Sequence, residues 1–221
     1  MGRNWYFCGN QVRPALPSVG IRKKANDPVT YGSLAHSKFN TQNATSNQVI
    51  DLSKFQNGPF DRGVSKWKEA AWWVIRSLFF APWFPVPSKI KIALLRVFGA
   101  KIGEGVVIRS RVNISFPWRF ECGDHVWIGD EVLILSLAQV TIGSNVCLSQ
   151  RAFLCTGSHD LRKESFDLIT KPIVIEDGSW VCAQAFLGPG VVMGKGSRCL
   201  AGAVVVKPVE AGQTVSGVPA R

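Results

Sequence analysis

Residues 142–159 divide into three six-residue units, IGSNVC, LSQRAF and LCTGSH. Each opens on an aliphatic residue (Ile142, Leu148, Leu154) and carries a small or branched residue four places later (Val146, Ala152, Ser158). The same period extends outward in both directions, from Ile102 to Val215, over about 115 residues. A repeat of this length predicts an all-β hexapeptide solenoid, in which three units make one turn of a triangular prism. Each unit supplies one short strand and one corner. The leader points inward onto the leaders above and below it, and Gly or Asn fills corners with unusual backbone angles.

The leaders expected to stack in one column are Ile102, Cys122, Ile142, Ile175, Met193 and Ala211, which gives coils of 20, 20, 33, 18 and 18 residues. The first two coils each carry two extra residues near one corner, at Phe120-Glu121 and Val140-Thr141. The third carries a long insertion in that region, HDLRKESFDLITKPIV, read as a loop over 159–174 that leaves the prism at His159 and returns at Ile175. Long loops on an otherwise minimal repeat tend to carry function. A histidine at the break therefore points to chemistry.

The chain has 221 residues, 46% of them apolar, enough for one main domain with appendages. Its formal charge of +11 is unevenly placed. Residues 1–100 hold 14 Lys+Arg against 4 Asp+Glu, and residues 101–221 hold 12 against 11. The repeat is thus nearly neutral, and no nucleic-acid face is expected on it. Six cysteines without a C-x-x-C spacing read as core fillers rather than as disulfides or a zinc site. A three-histidine metal centre is excluded in the repeat, which holds only His125 and His159; His125 reads as a surface corner or an acceptor contact rather than a catalytic group. The N-terminus lacks the apolar core of a secretory signal, which predicts a cytoplasmic protein.

Residues 1–48 have no period and read as a flexible extension. Residues 49–100 read as a helical, basic and aromatic segment. Ser65 can cap a helix running through Trp67, Ala70, Ala71, Val74, Ile75 and Leu78 until Pro82, and a second helix starts at Ser88 and ends near Gly99. Prolines leave too few continuous apolar residues to span a bilayer. Trp72, Trp73, Phe79, Phe80 and Trp83, flanked by Lys66, Lys68, Lys89, Lys91 and Arg96, fit a helix lying on an anionic membrane surface. Docking of these aromatics on the repeat or on a neighbouring subunit is the alternative.

The stretches DLSKF, FDRG, PSKIKIALLRVFGAKIG, PWRFECGDHVWIGD, VTIGSNVCLSQRAFLCTGSHD, FDLITKPIVIEDGSWV and GVPAR resemble the hexapeptide-repeat acyltransferases, and within them the colanic-acid-biosynthesis-type O-acetyltransferases. They cover about residues 50–221. The resemblance implies a left-handed parallel β-helix over 101–221, a homotrimer, acetyl-CoA as cosubstrate in a cleft between two prisms, no metal, and a sugar or lipid-linked glycan as acceptor in exopolysaccharide assembly. It assigns His159, at the last position of its hexapeptide, as general base. The amide of Ala183 is implied near the thioester, Ala201 near the pantetheine arm, and Val206, Lys207 and Arg221 near the nucleotide. Trp180 is expected against His159 or the coenzyme. Where related sugar acetyltransferases place Asn and Asp near the acceptor, this chain has Gly129 and Leu137.

The chemistry fits these residue types. A sugar hydroxyl is a poor nucleophile until its proton is removed during attack, and an imidazole can take that proton and return it to the leaving thiolate. Fixed backbone amides can hold the oxyanion. The partner that orients His159 is left open between Asp160, Asp167 and a backbone carbonyl. Two other functions remain open, a xenobiotic or small-metabolite acetyltransferase of the same fold and a non-catalytic trimeric scaffold.

Overall fold

The computed structural model describes residues 49–55 and 60–221. The expectations for residues 1–48, including His36 and Cys8, lie outside them. The described part is a left-handed parallel β-helix preceded by two helices. Strands of two or three residues line three faces. The first face stacks Lys101–Ile102, Phe120–Cys122, Val140–Ile142, Ile173–Ile175 and Val192–Met193. The second runs from Val107–Ile108 to Thr214–Val215, and the third from Asn113–Ile114 to Val204–Val205. Every pairing within a face is parallel.

The inward leaders form three buried columns. The expected register holds from Ile102 through Cys122, Ile142 and Ile175 to Met193. The last step differs. Met193 bridges Val209, which is buried, whereas Ala211 is exposed. Only Val206, Lys207 and Pro208 separate Val205 from Val209, so the chain turns the final corner early.

Close approach of the coils explains the glycine that so often follows a leader. A Cβ on Gly143 would lie 2.7 Å from the amide nitrogen of Asp177 in the next coil. Asp177 instead accepts the N–H of Ser144 at 2.8 Å, as Asp124 accepts that of Glu104 two coils earlier.

The corner between the third and first faces is the wide one. Residues 117–119 form a 3₁₀ turn there in the first coil. Buried hydroxyls satisfy the extra backbone: Ser136 accepts the N–H of Phe116 and donates to its carbonyl, and Thr156 accepts from Ala138 and donates to Leu135. Phe120, Val140 and Ile173 stack as an added buried layer. Consequently Ala138 is only half-buried and Ser158 is exposed, although the six-residue period places both inward.

Helix α1 (Lys66–Phe79) begins at Ser65, whose hydroxyl accepts the N–H of Lys68, and helix α2 (Ser88–Val97) ends before Gly99 at φ +103°. Together they cap the open edge of the first coil. The Trp72 indole donates to the Ile114 carbonyl, Ser88 to Ile108, Lys91 to Arg109, and Arg96 to Ile102 and Gly103. The stripe Trp67, Val74 and Leu78 faces solvent, because α1 is rotated to turn Trp72 onto the strand edge. Trp72 and Phe80 are buried on the repeat, whereas Trp73 and Trp83 are exposed. Among the described residues no helix is long and apolar enough to cross a membrane.

Candidate active site

The chain leaves the prism after Thr156, three residues before His159, and rejoins it at Ile173 rather than Ile175. The reason is hydrogen bonding. Thr156 ties its hydroxyl to the previous coil, and its carbonyl accepts the N–H of Lys171, which closes the base of a hairpin. The excursion expected as a loop over 159–174 is thus built on an antiparallel ladder pairing Gly157 with Thr170, Ser158 with Ile169 and His159 with Leu168. Gly157 admits this path, since a Cβ there would come within 2.6 Å of the Leu137 side chain.

His159 ends the first strand of the hairpin, half-buried. Its Nδ1 lies 2.7 Å from the carbonyl oxygen of Phe166. A carbonyl can only accept, so Nδ1 carries the proton in the neutral ring and Nε2 presents a lone pair. The Phe166 ring stacks on the imidazole at 4.0 Å and 4°, and Phe55 meets it edge-on at 5.8 Å. Phe166 adopts φ +51°, an unusual conformation for an aromatic residue, and its N–H is bonded to the Lys163 carbonyl.

The two carboxylates named as alternative partners are engaged elsewhere. Asp160 pairs with Arg162 at 3.0 Å, and the hydrogen bonds from Arg162 hold its carboxyl below the usual range. Asp167 accepts from Lys163 at 2.7 Å and from Ser165 at 2.6 Å, which lowers it likewise.

Sequence reading gave no hint that the segment Leu52–Lys54 and its flanks reach this hairpin. Asp51 donates its N–H to the Glu164 carbonyl, Lys54 pairs with the Glu164 carboxylate at 2.6 Å, and Phe55 follows onto His159. The DLSKF stretch is a family marker without a stated role, and five residues with no period are too few to announce a contact some 110 residues away.

The residues expected near the coenzyme fall into separate groups. Ala183 and Ala201 stack at the corner between the second and third faces, where Gly202 donates to the Ala183 carbonyl. The amide N–H groups of both alanines are unpaired among the described residues. Ala183 borders an open cleft of about 280 Å³ with Asp130, Glu131, Gln150, Arg151 and Gln184. Val206 and Lys207 lie, exposed, at the corner between the third and first faces, the corner that bears the His159 hairpin in an earlier coil. Arg221 ends a tail whose Ala220 N–H bonds to Val204. Trp180 sits on the second face and donates to Ser149 at 2.8 Å, so the rings packed on His159 are Phe55 and Phe166 instead. His125 is an exposed corner residue. One chain therefore puts His159 and Ala183 at different corners of the prism.

Among the described residues no cluster of three or more His, Cys, Asp or Glu is arranged to hold a metal. No protein-family model matches the chain. Individual relatives do. WcaF of Escherichia coli (strain K12), named as a colanic acid biosynthesis acetyltransferase, is 40% identical over 171 residues, covering 77% of this chain and 93% of its own. The galactoside O-acetyltransferase of the same organism is 28% identical, covering 61% of this chain and 69% of its own. Among solved structures, a hexapeptide-repeat acetyltransferase of Vibrio cholerae O1 biovar eltor, complexed with acetyl-CoA, superposes with a TM-score of 0.66 at 27% identity, over 76% of this chain and 93% of that one. A relative this similar over nearly its whole length, on the same solenoid, makes this chain a member of the hexapeptide-repeat acetyltransferase family.

Proposed function

We propose that the chain is an O-acetyltransferase that moves the acetyl group of acetyl-CoA to a sugar hydroxyl in exopolysaccharide assembly, on a free or lipid-linked glycan, with His159 as general base. The observation that carries this is the imidazole held at Nδ1 by the Phe166 carbonyl, at the corner where the repeat opens. That bond leaves Nε2 as the proton acceptor. Nε2 takes the proton of the acceptor hydroxyl as its oxygen attacks the thioester carbonyl. The tetrahedral intermediate then collapses, the C–S bond breaks, and the proton passes from Nε2 to the thiolate. No covalent enzyme intermediate is needed.

The unpaired amide of Ala183 is the proposed oxyanion donor. Ala201 is proposed to meet the pantetheine arm, with Val206, Lys207 and Arg221 toward the nucleotide and Trp180 on the coenzyme's flank. Because Ala183 and His159 stand at different corners, the site needs two copies, which supports a homotrimer with three inter-subunit sites. The names of the relatives support the donor and acceptor classes: acetyl-CoA from the Vibrio complex, colanic acid biosynthesis from WcaF and a galactoside from the third relative. We further infer a cytoplasmic enzyme peripheral to the inner face of the membrane, supported by the exposed tryptophans of the capping helices.

The test supplies labelled acetyl-CoA with nucleotide sugars, lipid-linked sugars and antibiotics, and identifies products by mass spectrometry. A labelled sugar or glycan is expected; exclusive labelling of antibiotics would replace the acceptor class. His159→Ala should lower transfer by about 10²–10⁴-fold while CoA binding and assembly persist. Equal turnover in that variant would end the base assignment.

A further inference from the structure

Helix α1 has two apolar faces, and the repeat covers only one. On the other, Trp67, Val74 and Leu78 stand at helical spacing with 86, 58 and 58% exposure, and Trp73 beside them at 57%. The turn after the helix adds Trp83 and Phe84 at 75 and 61%. An exposed apolar stripe with true helical periodicity marks a surface made for another phase or partner.

Next to it lies a cleft of about 250 Å³ whose charged lining residues are Arg76 and Arg111, joined by Ser77 and Asn113. Each guanidinium lies against one of the exposed indoles, Arg76 against Trp73 at 5.3 Å and Arg111 against Trp83 at 4.4 Å. Arg76 is half-buried, and its hydrogen bond goes to the neutral Asn113 amide at 3.0 Å. It has no carboxylate within ion-pair distance among the described residues, and burial pushes its pKa down. Arg111 shares Glu131 with Arg151. Two guanidinium groups thus share one carboxylate while Arg76 has none, and the cleft holds positive charge that the described residues do not neutralise. Residues 62–100 as a whole carry seven Lys+Arg against one Glu.

We propose that the Arg76–Arg111 cleft takes the phosphate group of an anionic membrane lipid, while Trp67, Trp73 and Trp83 lie in the interfacial layer of the bilayer. Planar guanidinium groups suit a phosphate, indoles settle at the headgroup level, and a basic, apolar helix lies in the interface rather than across it. A free phosphate would use the arginines and leave the apolar stripe in water. A lipid uses both, and that charge complementarity selects the membrane over a second copy of the chain. This deepens the peripheral placement proposed above and is independent of His159.

The experiment sediments the full chain with vesicles of phosphatidylcholine, and with vesicles in which about a third of the lipid is phosphatidylglycerol, at low and high salt. Binding to the anionic vesicles alone, weakened by salt, is expected. Arg76→Gln and, separately, the more exposed Arg111→Gln should each raise the apparent Kd about fivefold, with the melting temperature of the latter unchanged. Trp67→Ser combined with Trp83→Ser should abolish binding. Failure of the unaltered protein to bind overturns the membrane placement itself. Binding indifferent to both arginine changes overturns the lipid-phosphate cleft alone. If soluble glycerol phosphate binds through the arginines while the double tryptophan variant still binds vesicles normally, the cleft serves a free phosphate and the lipid assignment falls. If instead the tryptophan changes reduce the assembly's mass and vesicles never bind, the face joins copies of the chain, and the proposal is wrong.

Discussion

The Phe166 carbonyl, 2.7 Å from Nδ1 of His159, does what a carboxylate does in many catalytic dyads, but without a charge. A neutral acceptor fixes the tautomer and the direction of the ring. If His159 is the base, orientation matters more than charge. Asp160→Asn and Asp167→Asn should each leave kcat within about threefold, because their carboxylates pair with exposed cations rather than with the imidazole. Phe166→Ala, which removes the stacked ring and loosens the carbonyl, should lower kcat about tenfold with the KM for acetyl-CoA unchanged. Steady-state kinetics on the three variants checks the ordering.

Trp72 joins the capping helices to the repeat. Trp72→Phe keeps a smaller aromatic ring but removes the indole N–H and strands the buried Ile114 carbonyl, an expected loss of about 1–3 kcal/mol; Trp72→Ala leaves a larger cavity and should cost about 3–5 kcal/mol. Denaturant unfolding of both variants measures the difference.

The hydroxyl at the base of the hairpin gives a sharper contrast. Thr156→Val leaves the Ala138 N–H and the Leu135 carbonyl without their bridge and should cost about 1–3 kcal/mol. Ser158→Ala, two residues on and exposed, should lie within about 0.5 kcal/mol of the parent. Equal melting temperatures for the two variants would contradict this account of the corner.

Two thiols inside the prism set an alkaline limit. Burial raises Cys122 and Cys199 to about 11, against 9.0 when unfolded. Between those values the unfolded chain releases protons that the folded one keeps. The stabilisation is therefore complete below pH 9.0 and is lost as the pH rises toward 11, by roughly 3 kcal/mol per thiol. In the variant carrying Cys122→Ala and Cys199→Ala, the curve of melting temperature against pH should be flatter over that window, whatever its absolute height.

The prism was legible because its lumen leaves little choice. A leader every sixth residue is forced by the stacking of Ile108, Ile128 and Leu148, and the same arithmetic located the corner that widens. The period misled at Ser158 and Ala211, where buried hydroxyls and a short corner replace the repeat's rule. His159 was legible as the histidine at a break. Its neighbours were not, because the partner is a main-chain carbonyl, and Phe166 at φ +51° looks in sequence like any apolar loop residue. The outward stripe of α1 was legible as a period, but not which side of it the first coil would claim. That choice rests on a hydrogen bond from Trp72.

The wide corner has one more consequence. Between Leu154 and Leu187 the chain is 33 residues long, against 20 between Ile134 and Leu154, yet the leaders stack in the same parallel register. Length and content at that edge are thus nearly uncoupled from the fit of the column. The column beneath would therefore hold its register with a hairpin of another length or sequence at that edge, since its leaders meet each other directly and not through the inserted residues.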